Sequence, residues 1–180
     1  MRDPPLSRGA TVWLTGLSGA GKTTIADAVA GALRAAGREV EVLDGDELRR
    51  SLSAGLGFSR ADRDTHVRRV GFVAELLARH GVVALVPVIA PYAATRDEVR
   101  ARHDARGTGY LEVHVATPLA ECARRDVKGL YAQAAAGKLT GLTGVDDPYE
   151  NPEKPDLRLN TDIPTAVQHI LNLLTQRGIT

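Results

Sequence analysis

Cysteine is almost missing from this chain. Cys122 stands alone among 180 residues, so no internal disulfide can form and no zinc cluster of the Cys₂His₂ kind can be built. That suits a reducing, cytoplasmic compartment. Aromatics are scarce as well, at 4 %, so the core must come mainly from Ala, Val, Leu and Ile. Neither sign of charge dominates: 23 Lys and Arg against 22 Asp and Glu leave +1. Such a balance argues against a nucleic-acid partner, while a local basic cleft for a small anion remains compatible with it. No apolar run approaches the length of a membrane span. The first residues, Met1-Arg2-Asp3-Pro4-Pro5, lack the apolar stretch of a signal peptide. Hydrophobic residues at 43 % and charged ones at 25 % are ordinary for a soluble globular protein. The length suits one domain, residues 1–180, with a full core.

What is present is a phosphate-binding pattern. Gly16-Leu17-Ser18-Gly19-Ala20-Gly21-Lys22-Thr23 has the G-x-x-x-x-G-K-[ST] spacing of a P-loop. Four such fixed positions arise by chance in only about 1 in 100 chains of this length. The context strengthens it: Thr11-Val12-Trp13-Leu14 before it is short, apolar and β-prone, and Ile25 to Ala36 after it reads as helix. Glycines let main-chain N–H groups converge on phosphate oxygens, and the helix N-terminus adds a favourable dipole. Lys22 reaches the β- and γ-phosphates of ATP, and the Thr23 hydroxyl holds Mg²⁺.

Residues 1–9 read as a loose lead-in. A strand over about 11–15 leads to the P-loop, then a helix over about 22–36 closed by Gly37. Glu39 to Leu43 reads as a second strand ending in Asp44-Gly45-Asp46, with Asp46 capping a short helix to about Ala54. Ser59 is placed as N-cap of a long helix to His80, apolar at Val67, Val70, Val73, Leu76 and Leu77. Val82 to Val86 is a continuous apolar run, as expected of a strand buried on both faces. A charged helix from Thr95 to about Arg106 precedes a strand over Tyr110–Val115. Thr117-Pro118 predicts a cap and a helical stretch to about Ala136. Residues 137–155 form a long Gly- and Pro-rich loop, a length usually functional or disordered. Leu157 to Leu159 reads as a last strand and Pro164 to Gln176 as a closing helix. Alternating strands and helices predict an α/β fold, a parallel sheet with helices on both faces. Ligands of such sheets sit outside the carboxyl ends of the strands. The P-loop, Asp44-Gly45-Asp46, Ile89-Ala90-Pro91-Tyr92 and Thr117 all follow strand ends, so they should line one rim.

A P-loop enzyme needs a carboxylate near Mg²⁺, and the third strand ends in Pro87-Val88 without one. Asp44 and Asp46 therefore take the work: one organises Mg²⁺ and its waters, the other accepts the proton of an attacking hydroxyl. Arg49, Arg63, Arg68 and Arg69 follow and suit a phosphate or sulfate group. Phe58, in a Gly-flanked loop, suits stacking on a base. The residues alone leave two classes open: a P-loop kinase of a small nucleotide or alcohol, and a nucleotide-binding switch without small-molecule turnover. His66, His80, His103, His114 and His169 are scattered and suggest no further metal site.

Several longer blocks resemble those of the adenylyl-sulfate kinase (APS kinase) family. They are Thr11 to Thr24, Leu43-Asp44-Gly45-Asp46 with Arg49, Leu56-Gly57-Phe58-Ser59, Asp62-Arg63, Arg68-Arg69, Pro91-Tyr92 and Arg96-Asp97. Arg125-Asp126-Val127-Lys128-Gly129-Leu130-Tyr131 and Thr143-Gly144-Val145-Asp146-Asp147-Pro148-Tyr149-Glu150 complete the match, which spans about 9–176. The resemblance implies a three-layer P-loop kinase domain with a mobile lid over about 128–150. It implies transfer of the ATP γ-phosphoryl to the 3′-hydroxyl of adenosine 5′-phosphosulfate, Mg²⁺ as cofactor, and a homodimer. Nucleotide would be held by Gly16, Ser18, Gly19, Ala20, Gly21, Lys22, Thr23, Thr24 and Arg125. Lys22, Asp44 and Asp46 would be catalytic, with Thr23 and Asp44 on the metal. By the same resemblance Phe58 would stack on the acceptor adenine, and Arg49 and Arg63 would hold its phosphosulfate. Asp46, His66, Ile89, Ala90, Lys128, Gly129, Leu130, Leu142 and Thr143 would complete the acceptor pocket. Three positions depart from the family pattern. Thr65-His66 stands where Glu-Asn is common, Ala90 where many members have Ser, and Leu142 where a second aromatic is usual. With Ala90 no phosphoserine can form, which favours direct in-line transfer. With Leu142 the acceptor adenine would lie between Phe58 and an aliphatic side chain.

Overall fold

The computed structural model describes residues 8–160 and 162–179; most of the expected lead-in, residues 1–7, lies outside them. Elements follow one another as β1 (Ala10–Thr15), α1 (Lys22–Ala35), β2 (Val40–Val42), α2 (Gly45–Arg50) and α3 (Arg60–Arg79). Then come β3 (Val83–Pro87), α4 (Ala93–Asp104), β4 (Gly109–Val115), α5 (Leu119–Arg125), α6 (Leu130–Ala135), β5 (Leu157–Leu159) and α7 (Ile163–Gln176). The five strands pair in parallel in the order β2-β3-β1-β4-β5.

Period-two alternation builds two cores from one sheet. On β1, Ala10, Val12 and Leu14 face α1 and α7, joining Ile25, Val29 and Leu33 with Ile170 and Leu174. Trp13 faces the other way, with Val86 of β3 and Tyr110 of β4, against Val67, Val70 and Ala74 of α3 and Val99 of α4. Trp13, the single tryptophan, is completely buried at the centre. The helices α3 and α4 approach closely because of Gly71: a Cβ there would lie 2.7 Å from a Val99 methyl. Thr11, also on that face, bonds His103 Nε2 at 2.8 Å, which gives that fully buried imidazole a partner.

Four local expectations change. Asp44, not Asp46, caps α2: its extended backbone lets Oδ1 accept the N–H groups of Asp46 and Glu47, at 2.9 and 3.1 Å. The inward face of α3 includes Gly71, Ala74 and Ala78, whereas Leu76 is among the exposed apolar side chains. Thr117 does not cap α5; its hydroxyl donates to Ala20 O at 2.8 Å. The helical stretch beyond it is broken, because Asp126 turns left-handed (φ 34°) and its carboxylate accepts from Tyr131 N and Ala132 N. Side-chain capping thus starts a second helix, α6, where continuous apolar patterning predicts one.

Candidate active site

A cavity of about 810 Å³ opens at the carboxyl end of the sheet. The segments after all five strands reach it: the P-loop, Asp44 to Asp46, Pro87 to Pro91, Thr117, and Asp162 with Ile163 at the start of α7. Its remaining wall comes from Arg49, Phe58, Arg63 and His66 on one side and from Arg125 to Thr143 on another.

On the P-loop side, Ser18, Gly19, Ala20, Gly21, Lys22, Thr23 and Thr24 line the wall. The loop wraps back on Lys22, whose Nζ donates to Gly16 O at 2.9 Å and Leu17 O at 2.7 Å. Burial, then the nearby Lys128 ammonium, pulls the Lys22 pKa from 10.5 down to about 8. A cation desolvated to this degree gains strongly from an incoming polyphosphate. Two residues from outside the loop hold its carbonyls: Tyr131 Oη donates to Ser18 O at 2.9 Å, and Thr117 to Ala20 O. Gly16 lies behind the wall rather than on it; a Cβ there would meet Val115 O at 2.5 Å, so only glycine lets β1 run against β4 at this point.

The two carboxylates differ in what occupies them. Asp44 spends Oδ1 on the α2 cap, and its Oδ2 accepts the Thr23 hydroxyl at 3.3 Å. Asp46 is largely exposed to the cavity mouth and pairs with Lys128 across it. Both carboxylates favour the charged form of Lys22.

On the far side, Phe58 projects into the opening at 69 % exposure. The Arg49 guanidinium lies 4.7 Å from its ring centre, and Arg63 5.8 Å. Arg63 is buried and fully engaged: Nε donates to Phe58 O at 2.8 Å, Nη1 to Thr143 Oγ1 at 2.5 Å, and Nη2 to Gly141 O at 2.5 Å. It therefore joins the phenylalanine loop to the 137–155 loop. His66 is buried with Nδ1 2.8 Å from Ser53 Oγ, and burial followed by the Arg49 charge lowers its pKa to about 4, so it is neutral at physiological pH. Ile89, Ala90, Lys128, Leu130, Leu142 and Thr143 also line the cavity.

Some expected residues are elsewhere. Gly129 is off the wall, serving as the left-handed N-cap of α6. Arg68 and Arg69 are not on the cavity wall: Arg68 forks onto Glu98, and Arg69 donates to Leu52 O. As helical residues spaced past Arg63, they fall on the outer face of α3. Sequence reasoning missed Thr117 and Tyr131 as supports of the P-loop, Ser53 as the partner of His66, and Asp162 with Ile163 on the wall. The rule about strand carboxyl ends, applied to β5, would have found the last pair.

A family model described as adenylylsulphate kinase matches residues 8–160. The chain is 58 % identical over 174 residues to the adenylyl-sulfate kinase of Synechococcus sp. (strain JA-3-3Ab), covering 95 % of this chain and 97 % of that protein. It is 52 % identical over 179 residues to the adenylyl-sulfate kinase of Chloroflexus aurantiacus, covering 98 % and 94 %. The solved APS kinase of Mycobacterium tuberculosis, in complex with AMPPNP and APS, superposes with a TM-score of 0.91 at 48 % identity, covering 94 % of this chain and 99 % of that one.

Proposed function

The chain belongs to the adenylyl-sulfate kinase family, and from that premise we infer that it moves the γ-phosphoryl of ATP onto the 3′-hydroxyl of adenosine 5′-phosphosulfate. The product is 3′-phosphoadenylyl sulfate. The observation that carries the reading is convergence: Lys22, Thr23, Asp44 and Asp46 share one cavity with Phe58, Arg49 and His66. A phosphate grip and an aromatic surface for a second nucleotide meet across a pair of carboxylates.

The roles follow from the chemistry of each group. P-loop amides and Lys22 hold the triphosphate, with Thr24 and Arg125 at its edges. Lys22 leaves the Gly16 and Leu17 carbonyls for phosphate oxygens, which restore its full charge. Thr23 Oγ1 and Asp44 Oδ2 are two hard oxygens 3.3 Å apart, a donor set that fits Mg²⁺, which keeps several waters and takes few protein ligands. When bound, Mg²⁺ neutralises charge developing on the phosphates. Asp46, free of any capping duty, is the base: displaced from Lys128, it accepts the proton of the ribose hydroxyl as that oxygen attacks. Phe58 and Leu142 bracket the acceptor adenine. Arg49 faces the phosphosulfate, and Arg63 sets the distance between the Phe58 loop and the 137–155 loop. Residues 128–150 act as the lid that keeps water from competing as acceptor. The working form is a homodimer in the cytoplasm.

A coupled assay with ATP, Mg²⁺ and a panel of adenine nucleotides tests this. Adenosine 5′-phosphosulfate should stimulate ATP consumption far more than AMP or ADP, with the product phosphorylated at the 3′ position. Equal or greater stimulation by another acceptor would assign the chain to a different nucleotide.

A further inference from the structure

The acceptor wall rests on a backbone shape that its own residues resist. Ala90 has φ 44°, in the left-handed region where an L side chain crowds its carbonyl. It also precedes Pro91, and a residue before proline is driven toward extended conformations. Neither preference supports what is observed, so something outside the loop must hold it.

Two buried groups grip the loop from beneath. Thr15 Oγ1 donates to Ile89 O at 2.5 Å. Arg96, one turn into α4 and only 2 % exposed, donates Nη1 to Ala90 O at 2.7 Å. Its other donors are spent on two further segments: Nε on Glu112 Oε1 of β4 at 3.0 Å, and Nη2 on Glu150 O at 2.7 Å. Glu150 closes the arrangement, its N–H donating to Pro91 O at 2.8 Å and its carboxylate accepting Ala93 N at 2.7 Å. One planar fork thus binds the strained wall, the sheet and the end of the 137–155 loop at once.

We infer that Arg96 is a positioning residue for the acceptor: it holds Ile89 and Ala90 in the strained shape that forms their side of the pocket, and couples that shape to the loop above. Charge alone does not suffice, because a lysine has no fork to reach three segments. The competing view is a buried ion pair with Glu112 that merely supports the fold. The inference rests on the acceptor reading above, so its test needs one readout independent of turnover.

The experiment compares wild type, Arg96→Lys, and Arg96→Lys combined with Ala90→Gly. It measures KM separately for ATP and for adenosine 5′-phosphosulfate, together with amide hydrogen exchange over residues 88–93. Arg96→Lys should raise the acceptor KM roughly tenfold, as loss of a charged hydrogen-bonding fork does. The ATP KM should stay within about twofold, and exchange at Ala90, Tyr92 and Ala93 should quicken. Glycine adopts the left-handed shape without penalty, so Ala90→Gly should recover much of the loss. Should Arg96→Lys fail to fold, Arg96→Met with Glu112→Leu removes both charges at similar volume and should show the same acceptor-specific loss. Unchanged acceptor KM and exchange, both KM values rising alike, or no recovery by Ala90→Gly would overturn the inference. A wild-type enzyme idle on adenosine 5′-phosphosulfate would overturn the acceptor reading instead, and the exchange data would still decide the tie.

Discussion

The two sides of the cavity are held in different ways. The P-loop side is written mostly in local contacts: Ala20 N to Leu17 O, Ile25 N to Gly21 O, and Lys22 onto carbonyls five and six residues before it, with Tyr131 and Thr117 reaching its carbonyls from far along the chain. The opposite side is written in side chains that span long gaps: Arg63 to Thr143, Tyr92 to Asp147, Arg96 to Glu150. Local main-chain structure survives most substitutions. Long-range ties through one guanidinium do not, and each couples pocket shape to stability.

That contrast can be broken first at the carboxylates. Asp46→Asn should cut kcat by roughly 10²–10⁴, the usual worth of a general base, with unchanged melting; Asp44→Asn should also shift the Mg²⁺ concentration needed for half-maximal rate. Full activity in Asp46→Asn would remove the base from this reading. Lys22→Ala should lower kcat by roughly 10²–10³ while the melting temperature holds, because the loop around it is main chain. Arg63→Ala should do the opposite: three hydrogen bonds lost at a net value of about 1 kcal/mol each should cost about 3 kcal/mol and lower melting by roughly 6–12 °C in a chain of this size, seen by calorimetry. If Arg63→Ala melts normally, the two sides do not differ as argued.

Acid sharpens the contrast further. His66 and His114 both sit near pKa 4 when folded against 6.5 free, burial being the first cause and neighbouring arginine charge the second. Below pH 6.5 the unfolded chain binds more protons, so stability present above that value is lost as pH falls toward 4. Each site should remove up to about 2 kcal/mol by pH 5. Denaturant melts across pH should show that slope, and His66→Gln should flatten part of it. The smallest effect concerns Lys22: with its pKa near 8 in the free protein, kcat/KM for ATP should fall above pH 8 as the ammonium is lost. Bound phosphate keeps it charged, so kcat should hold in the same range.

Legibility followed the same division. The short, β-prone segment of β1 and the continuous apolar run of β3 announced the sheet, and the glycine spacing announced the P-loop, since both depend on residues close in sequence. Asp44 and Asp46 were expected as neighbours on the rim, but the α2 cap was assigned to Asp46 instead of Asp44, because that turns on which carboxylate faces the α2 amides. The break at Asp126 escaped because helical periodicity is blind to a carboxylate that caps the next helix. Arg68 and Arg69 looked as promising as Arg63, since composition does not say which face of α3 meets the cavity. Thr117, Tyr131 and Arg96 act on residues far along the chain, and no local pattern marks such partners.

Trp13 also sets what light can report. The only indole in the chain is sealed inside the middle strand, shielded from solvent on every side. Its emission is therefore a clean gauge of whether the sheet is intact and a poor gauge of what sits above it. Unfolding should shift the band sharply to the red, while adding nucleotide should leave its wavelength where it was. Titrations of ligand on this protein call for calorimetry or a labelled nucleotide instead.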